Sequence, residues 1–199
     1  HDIALQNLPV IFCMDRSGLV GEDGATHHGV LDISYLRCIQ NIIISAPKDG
    51  NELRDLLFTA TLNKEKPFTI RYPKEQAVNF EQKSPQKIEI GSWEVLAKGS
   101  DVLILAVGSM VTKSLEVHGM LSEKNISSEV VNCRFIKPMD EIYLNESLPN
   151  HKIVVTIEEG VTDGGFGEGI VNWSNKNHIS NSILTLGVPN RFVDHGPRN

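Results

Sequence analysis

The stretch Asp15-Arg16-Ser17-Gly18-Leu19-Val20-Gly21-Glu22-Asp23-Gly24-Ala25-Thr26-His27-His28-Gly29 decides how this chain is read. It follows an uninterrupted apolar run, Pro9-Val10-Ile11-Phe12-Cys13-Met14. Such a short run is expected of a parallel strand buried on both faces. Glycines at 18, 21, 24 and 29 then carry the chain past an arginine, acidic side chains and two histidines. Glycine lets backbone approach a ligand closely and take positive φ without steric cost. A strand ending in such a loop puts polar groups at the carboxyl edge of a sheet, where open α/β folds bind ligands.

Downstream, apolar runs alternate with helical patterns. Residues 31–39 carry a short helical period, and Ile42-Ile43-Ile44 reads as a buried strand. Asp49 reads as the N-cap of a helix reaching Leu62, with Glu52 near a capping box and Leu53, Leu56, Leu57 and Ala60 on its core face. Residues 67–73 read as a strand stopped by Pro73. The polar stretch 74–87, with Pro85, reads as a linker. Beyond it the pattern predicts strands at 94–97, 102–107, 128–132, 152–157 and 183–186, and helices at 109–124, 138–148 and 164–177. Pro138 is expected near the start of the second of these helices. Strand–helix alternation implies parallel-rich sheets covered on both faces. The expected fold is therefore α/β in two units, residues 1–80 and 88–199. His1 to Gln6 reads as the end of a helix entered midway, so the first unit is expected to be incomplete at its amino end.

Composition narrows the classes of function. A net charge of −6 over 199 residues argues against nucleic acid as a partner. No apolar run is long enough to span a bilayer. The three cysteines, 13, 38 and 133, are widely spaced, which suggests a reducing cytoplasm rather than a disulfide frame or zinc site.

Several side chains are candidates for chemistry. Arg16 can grip a phosphate or carboxylate in bidentate fashion, or simply pair with Glu22 or Asp23 at the surface. Arg71, within an apolar strand, calls for an anion. If both strands end on one edge, Arg16 and Arg71 would clamp a single anion. His27 is the candidate acid–base group, with Asp23 four residues earlier to fix its tautomer or bind a hydroxyl. Gly164 to Gly169 opens a helix but lacks the spacing of a dinucleotide loop. Glu158-Glu159 reads as a helix-facing or interface pair. Asp194-His195 has no nucleophile elbow to serve. No metal ligand is assigned.

The loop motif, followed by Asp32-Ile33-Ser34-Tyr35-Leu36-Arg37, closely resembles the pyrimidine-binding domain of the 1-deoxy-D-xylulose-5-phosphate synthase family, and the likeness runs the length of the chain. These are transketolase-like thiamine diphosphate enzymes. The resemblance implies a transketolase carboxyl-terminal domain after the linker. It implies a reaction in which pyruvate loses carbon dioxide and the remaining two carbons join glyceraldehyde 3-phosphate. That reaction opens non-mevalonate isoprenoid synthesis and feeds thiamine synthesis. Arg16 and Arg71 match arginines that contact the aldehyde's phosphate, and Asp23 and His27 match residues over the thiazolium. Thiamine diphosphate and Mg²⁺ are implied for the whole enzyme, a cytoplasmic homodimer in bacteria and plastidial in plants. The Gly-Asp-Gly metal motif and the glutamate that protonates the cofactor are not found in this stretch. The chain is thus expected to need an amino-terminal half, and to bind no cofactor and be inactive alone. The alternatives are a β-type subunit of a two-subunit thiamine enzyme and a non-catalytic dimerisation module.

Overall fold

We describe the protein from a computed structural model, which describes residues 1–77 and 80–197. Val78 and Asn79, inside the expected linker and just before the expected end of the first unit at residue 80, and Arg198 and Asn199 lie outside the described residues.

The first unit begins with a helical turn, α1 (Asp2–Leu5), and a strand, β1 (Ile11–Met14). The glycine loop leads to α2 (Asp32–Arg37), then β2 (Ile43–Ser45), α3 (Gly50–Leu62) and β3 (Phe68–Arg71). β3 lies between β1 and β2 and is parallel to both. The start of α3 follows from its sequence: the Asp49 side chain accepts the Glu52 amide at 2.8 Å. The Glu52 carboxylate turns back one residue further than a capping box and takes the Lys48 amide at 2.7 Å. The buried face of α3 carries Glu52, Leu56, Thr59 and Ala60. Leu57 is 41% exposed, not a core residue as its spacing suggested.

The second unit holds β4 (Glu94–Ala97), β5 (Val102–Ala106), α4 (Met110–Glu123), β6 (Ser128–Asn132), β7 (Phe135–Lys137), α5 (Glu141–Ser147), β8 (Ile153–Val161), α6 (Phe166–Lys176) and β9 (Ser182–Val188). Its sheet runs β4-β6-β5-β8-β9, parallel except for β4 at one edge. α5 begins at Glu141, three residues beyond the expected proline start, because the Asp140 side chain caps it by accepting the Tyr143 amide.

β7 does not join its own unit's sheet. It pairs antiparallel with β2, so the first sheet reads β1-β3-β2-β7. Strand periodicity then divides the core. Ile43 of β2 points to one cluster with Leu56, Phe68, Ile70 and Phe135. Its neighbours Ile42 and Ile44 point to another, which they share with Leu105, Val131, Phe166 and Trp173 of the second unit. This second cluster thus runs through both units. Each fully buried side chain of this kind contributes about 1.5–3 kcal/mol.

The stretch read as a linker has no regular structure among its described residues, but it is stitched to α3. Glu81 donates its amide to Asn51 and accepts from Arg54, and the Gln86 amide donates to Asp55.

Candidate active site

Two parallel strands, β1 and β3, deliver the site. Met14 pairs with Arg71, so both strands end at one sheet edge. The Tyr72 amide donates to the Met14 carbonyl, and the Ser17 amide returns the bond to the Tyr72 carbonyl, both at 3.0 Å. The two chains therefore leave the sheet side by side. One becomes the glycine loop and the other becomes Pro73-Lys74.

The neck of the loop is closed by backbone. Gly18 and Gly29 exchange two amide bonds at 2.9 Å, and the Gly29 amide also reaches the Arg16 carbonyl. Arg16 itself sits at φ +61°, unusual for a side chain with a Cβ. A turn of 3₁₀ helix at Gly21–Asp23 then lifts Asp23 and His27 to the surface.

The histidines separate by environment. His28 is half-buried and its Nδ1 accepts the Val20 amide at 3.1 Å, which makes it part of the loop's frame. His27 is exposed, with Nδ1 3.0 Å from the Thr26 hydroxyl. Its ring is free to meet a ligand.

Asp23 lies 2.6 Å from the Lys74 ammonium. The Lys74 hydrogen bond holds the Asp23 carboxyl below the usual carboxylate range, and the charges of Lys74, His27 and Arg16 act in the same direction. Asp23 and Lys74 line one cavity, and His27 and Arg16 lie near enough for their charges to act on Asp23. The cavity, about 350 Å³, is lined by Val20, Gly21, Glu22, Asp23, Lys74 and Pro197. The tail of the chain crosses here, with the Gly196 amide 3.3 Å from the Gly21 carbonyl.

Arg71 has a different environment. It is 3% exposed. Its Nε donates to Asp32 at 2.6 Å, and its Nη2 donates to the carbonyls of Glu159 at 3.1 Å and Gly29 at 3.3 Å. Arg16 is 39% exposed at its side chain and pairs with Asp15. The two arginines stand at one edge, as their strands require, but one guanidinium is enclosed and the other is open. The anion that Arg71 calls for is supplied by the protein, from Asp32.

Lys74 heads the stretch 74–87 that composition marks as a linker. Its signal lies in the order of residues: it comes directly after the proline that stops β3, on the edge where β1 also ends. Asp32 and Glu159 are hidden in the sequence as partners of the site, because their contacts join positions far apart in the chain.

The Glu158-Glu159 pair divides between two tasks. Glu158 is 3% exposed and accepts the Phe166 and Gly167 amides at 2.9 and 2.8 Å, capping α6 from the neighbouring strand. The glycine entry to α6 is therefore filled from within. Its carbonyls at Gly164 and Gly165 take the Arg37 guanidinium, and Gly169 leaves room for that side chain where a Cβ would meet it.

Chemically, the cavity offers an ammonium and a carboxylate, and the loop beside it adds a part-open guanidinium and an exposed imidazole. That set suits a small phosphorylated molecule with an oxygen that gains or loses a proton.

Residues 1–78 match the family model of the transketolase pyrimidine binding domain, and residues 91–199 match that of the transketolase C-terminal domain. The chain is similar to 1-deoxy-D-xylulose-5-phosphate synthase of Aquifex aeolicus (strain VF5), with 47% identity over 100% of this chain and 32% of that protein. It is similar to the enzyme of the same name from Dictyoglomus thermophilum, with 46% identity over 98% of this chain and 32% of that protein. The chain therefore spans about a third of the length of the curated relatives it matches. Among solved structures it resembles a split-gene transketolase, described as an inactive beta4 tetramer, with a TM-score of 0.83, 30% identity, and coverage of 96% of this chain and 61% of that one. With both of its structural units matched in order, this chain belongs to the transketolase family.

Proposed function

We propose that the chain forms the aldehyde-binding side of a 1-deoxy-D-xylulose-5-phosphate synthase, which joins two carbons of pyruvate to glyceraldehyde 3-phosphate with loss of carbon dioxide. The observation that carries this reading is the gathering of Asp23, Lys74, His27 and Arg16 at one sheet edge. Lys74 and Arg16 hold the phosphate. The phosphate displaces the Asp23 carboxylate from Lys74, and Asp23 then turns to orient His27 or a substrate hydroxyl. The His27 imidazole hands a proton to the aldehyde oxygen as carbon–carbon bond formation turns it into an alkoxide. Arg71, the second arginine of the expected clamp, serves instead by bracing the loop from beneath through Asp32 and Gly29.

Thiamine diphosphate supplies the carbon nucleophile in such enzymes. Among the described residues no three His, Cys, Asp or Glu side chains are grouped to hold a metal ion. The Mg²⁺ and the diphosphate it would hold are assigned to the rest of the enzyme. The split-gene transketolase is inactive as its beta4 tetramer. By that precedent this chain is inactive alone and works with a partner polypeptide carrying the remaining sites, in a dimeric assembly in the cytoplasm.

The test is to mix the chain with the amino-terminal part of a relative and follow carbon dioxide release from pyruvate. Release that depends on glyceraldehyde 3-phosphate supports the reading. In that assembly Lys74→Ala raises KM for glyceraldehyde 3-phosphate about tenfold and leaves KM for pyruvate near its starting value. Equal effects on both substrates reject the phosphate role.

A further inference from the structure

Besides the Gly196–Gly21 backbone bond, the carboxyl-terminal unit reaches the glycine loop through the side chain of Glu159. Glu159, at the end region of β8, is 9% exposed. Its Oε1 accepts the Leu19 amide at 3.0 Å, and its Oε2 accepts the Ser109 hydroxyl at 2.8 Å. Leu19 lies in the loop between Arg16 and Asp23, whereas Ser109 directly precedes α4 of the second unit. The carboxylate is seated over Gly18, where an added Cβ would collide with it. Gly18 stands at φ +79°, so the loop both bends there and leaves the side chain its room. The Glu159 carbonyl meanwhile accepts from Arg71, the residue that holds Asp32 and Gly29 at the base of the loop.

We propose that Glu159 is a positioning residue through which the carboxyl-terminal unit sets the place of the substrate loop, with Ser109 as its anchor and Leu19 as the point it holds. The inference rests on the reading of that loop as an anion seat. Physically, a carboxylate that accepts two hydrogen bonds from different units makes their separation a fixed quantity. Each charge-assisted bond of this kind contributes more than a neutral one. A shift of an ångström in the loop would move Arg16 and His27 away from a phosphate seated at Lys74, and misplacement on that scale is costly. Arg71, which donates to the carbonyls of both Glu159 and Gly29, links the far end of the loop to the same residue.

The test uses the whole 199-residue chain, read by amide hydrogen exchange, by the His27 ring resonance and by titration with inorganic phosphate. Glu159→Ala is expected to speed exchange at the Leu19 amide about tenfold while exchange in α3 stays unchanged. It is also expected to shift the His27 resonance and weaken phosphate about fivefold. Glu159→Gln keeps a carbonyl for Leu19 and is expected to bring all three readings back to within about twofold of the parent chain. Unchanged Leu19 exchange in Glu159→Ala overturns the proposal. Faster exchange with an unmoved His27 resonance overturns it too, because the loop would be held there but not positioned. If Glu159→Ala does not fold, Ser109→Ala replaces it under the same criteria. A parent chain that takes up no phosphate defeats the anion reading alone, and Glu159 is then judged on Leu19 exchange and the His27 resonance.

Discussion

The Nε of Arg71 lies 2.6 Å from Oδ2 of Asp32, and both side chains are almost closed to water. The pair is buried beneath the glycine loop, where the second carboxylate oxygen of Asp32 also accepts the Ile33 amide at the start of α2. A charge in such a place is tolerable only while it is matched.

Removing one partner should therefore be expensive. Asp32→Ala leaves the guanidinium enclosed without its anion and is expected to cost roughly 3–5 kcal/mol of stability. The double change Asp32→Leu with Arg71→Met is expected to cost clearly less than Asp32→Ala alone. Urea unfolding of the three chains checks this. A double variant no more stable than Asp32→Ala would mean that the lost charge balance is not the cause.

Lys74 is open and paired with exposed Asp23, whereas Arg71 is enclosed with Asp32. Lys74→Ala is expected to weaken inorganic phosphate about tenfold, while Lys74→Arg keeps most of the affinity. Neither should alter the unfolding midpoint much, because exposed pairs contribute little. Calorimetric titration with phosphate, beside thermal melts, separates the two effects.

Asp23 titrates below the usual aspartate range because Lys74 hydrogen-bonds its charged form. The favourable contribution of that pair is complete above the ordinary aspartate pKa and is lost as pH falls through the depressed value. In Lys74→Ala the Asp23 carboxyl should move back up. Carbon-13 titration of the side-chain carboxyl reads it directly; an unmoved value would assign the shift to His27 and Arg16.

Glu158 runs the other way. Burial raises its pKa, more than the Gly167 and Phe166 amides and the charges of Arg71 and Arg37 lower it. The folded chain thus holds this proton more tightly than the unfolded chain does. Stability is greatest below the ordinary glutamate pKa and falls as pH rises from there through the raised folded value. Glu158→Gln should abolish that slope. It should also cost about 1–3 kcal/mol at neutral pH, since one of the two α6 amides loses its acceptor. Urea midpoints across acid and neutral pH check both statements.

Phe135 ties the two units together. Its ring meets Phe68 edge-on, with centroids 6.1 Å apart, and its carbonyl accepts the Trp93 indole at 2.8 Å. Phe135→Ala is expected to cost roughly 3–5 kcal/mol. The parent chain is expected to unfold in one transition by both circular dichroism and tryptophan fluorescence. Two separated transitions would mean that the shared core does not couple the units.

Local pattern was enough for much of the fold. The long apolar runs at Val102–Ala106 and Ile42–Ile44 and the Asp49 cap announce their elements, since burial and capping depend on neighbours in sequence. The glycine loop was legible for the same reason. β7 was not: Phe135-Ile136-Lys137 is too short to show a period, and its partner β2 is about ninety residues away. The enclosure of Arg71 was equally hidden, because Asp32 lies 39 positions earlier and reads locally as the start of a helix. Lys74 looked like solvent-facing linker because composition says nothing about which sheet edge a residue leaves from.

The exchange of β7 into the neighbouring sheet has a consequence for how the polypeptide is tethered. The covalent connection through residues 81–87 is not what keeps the halves together; hydrogen bonds to β2 and the aromatic contact at Phe68 do that. A protease that nicked this connection would leave two pieces still gripping each other like a hook in an eye. Separating them would take denaturant, not dilution alone.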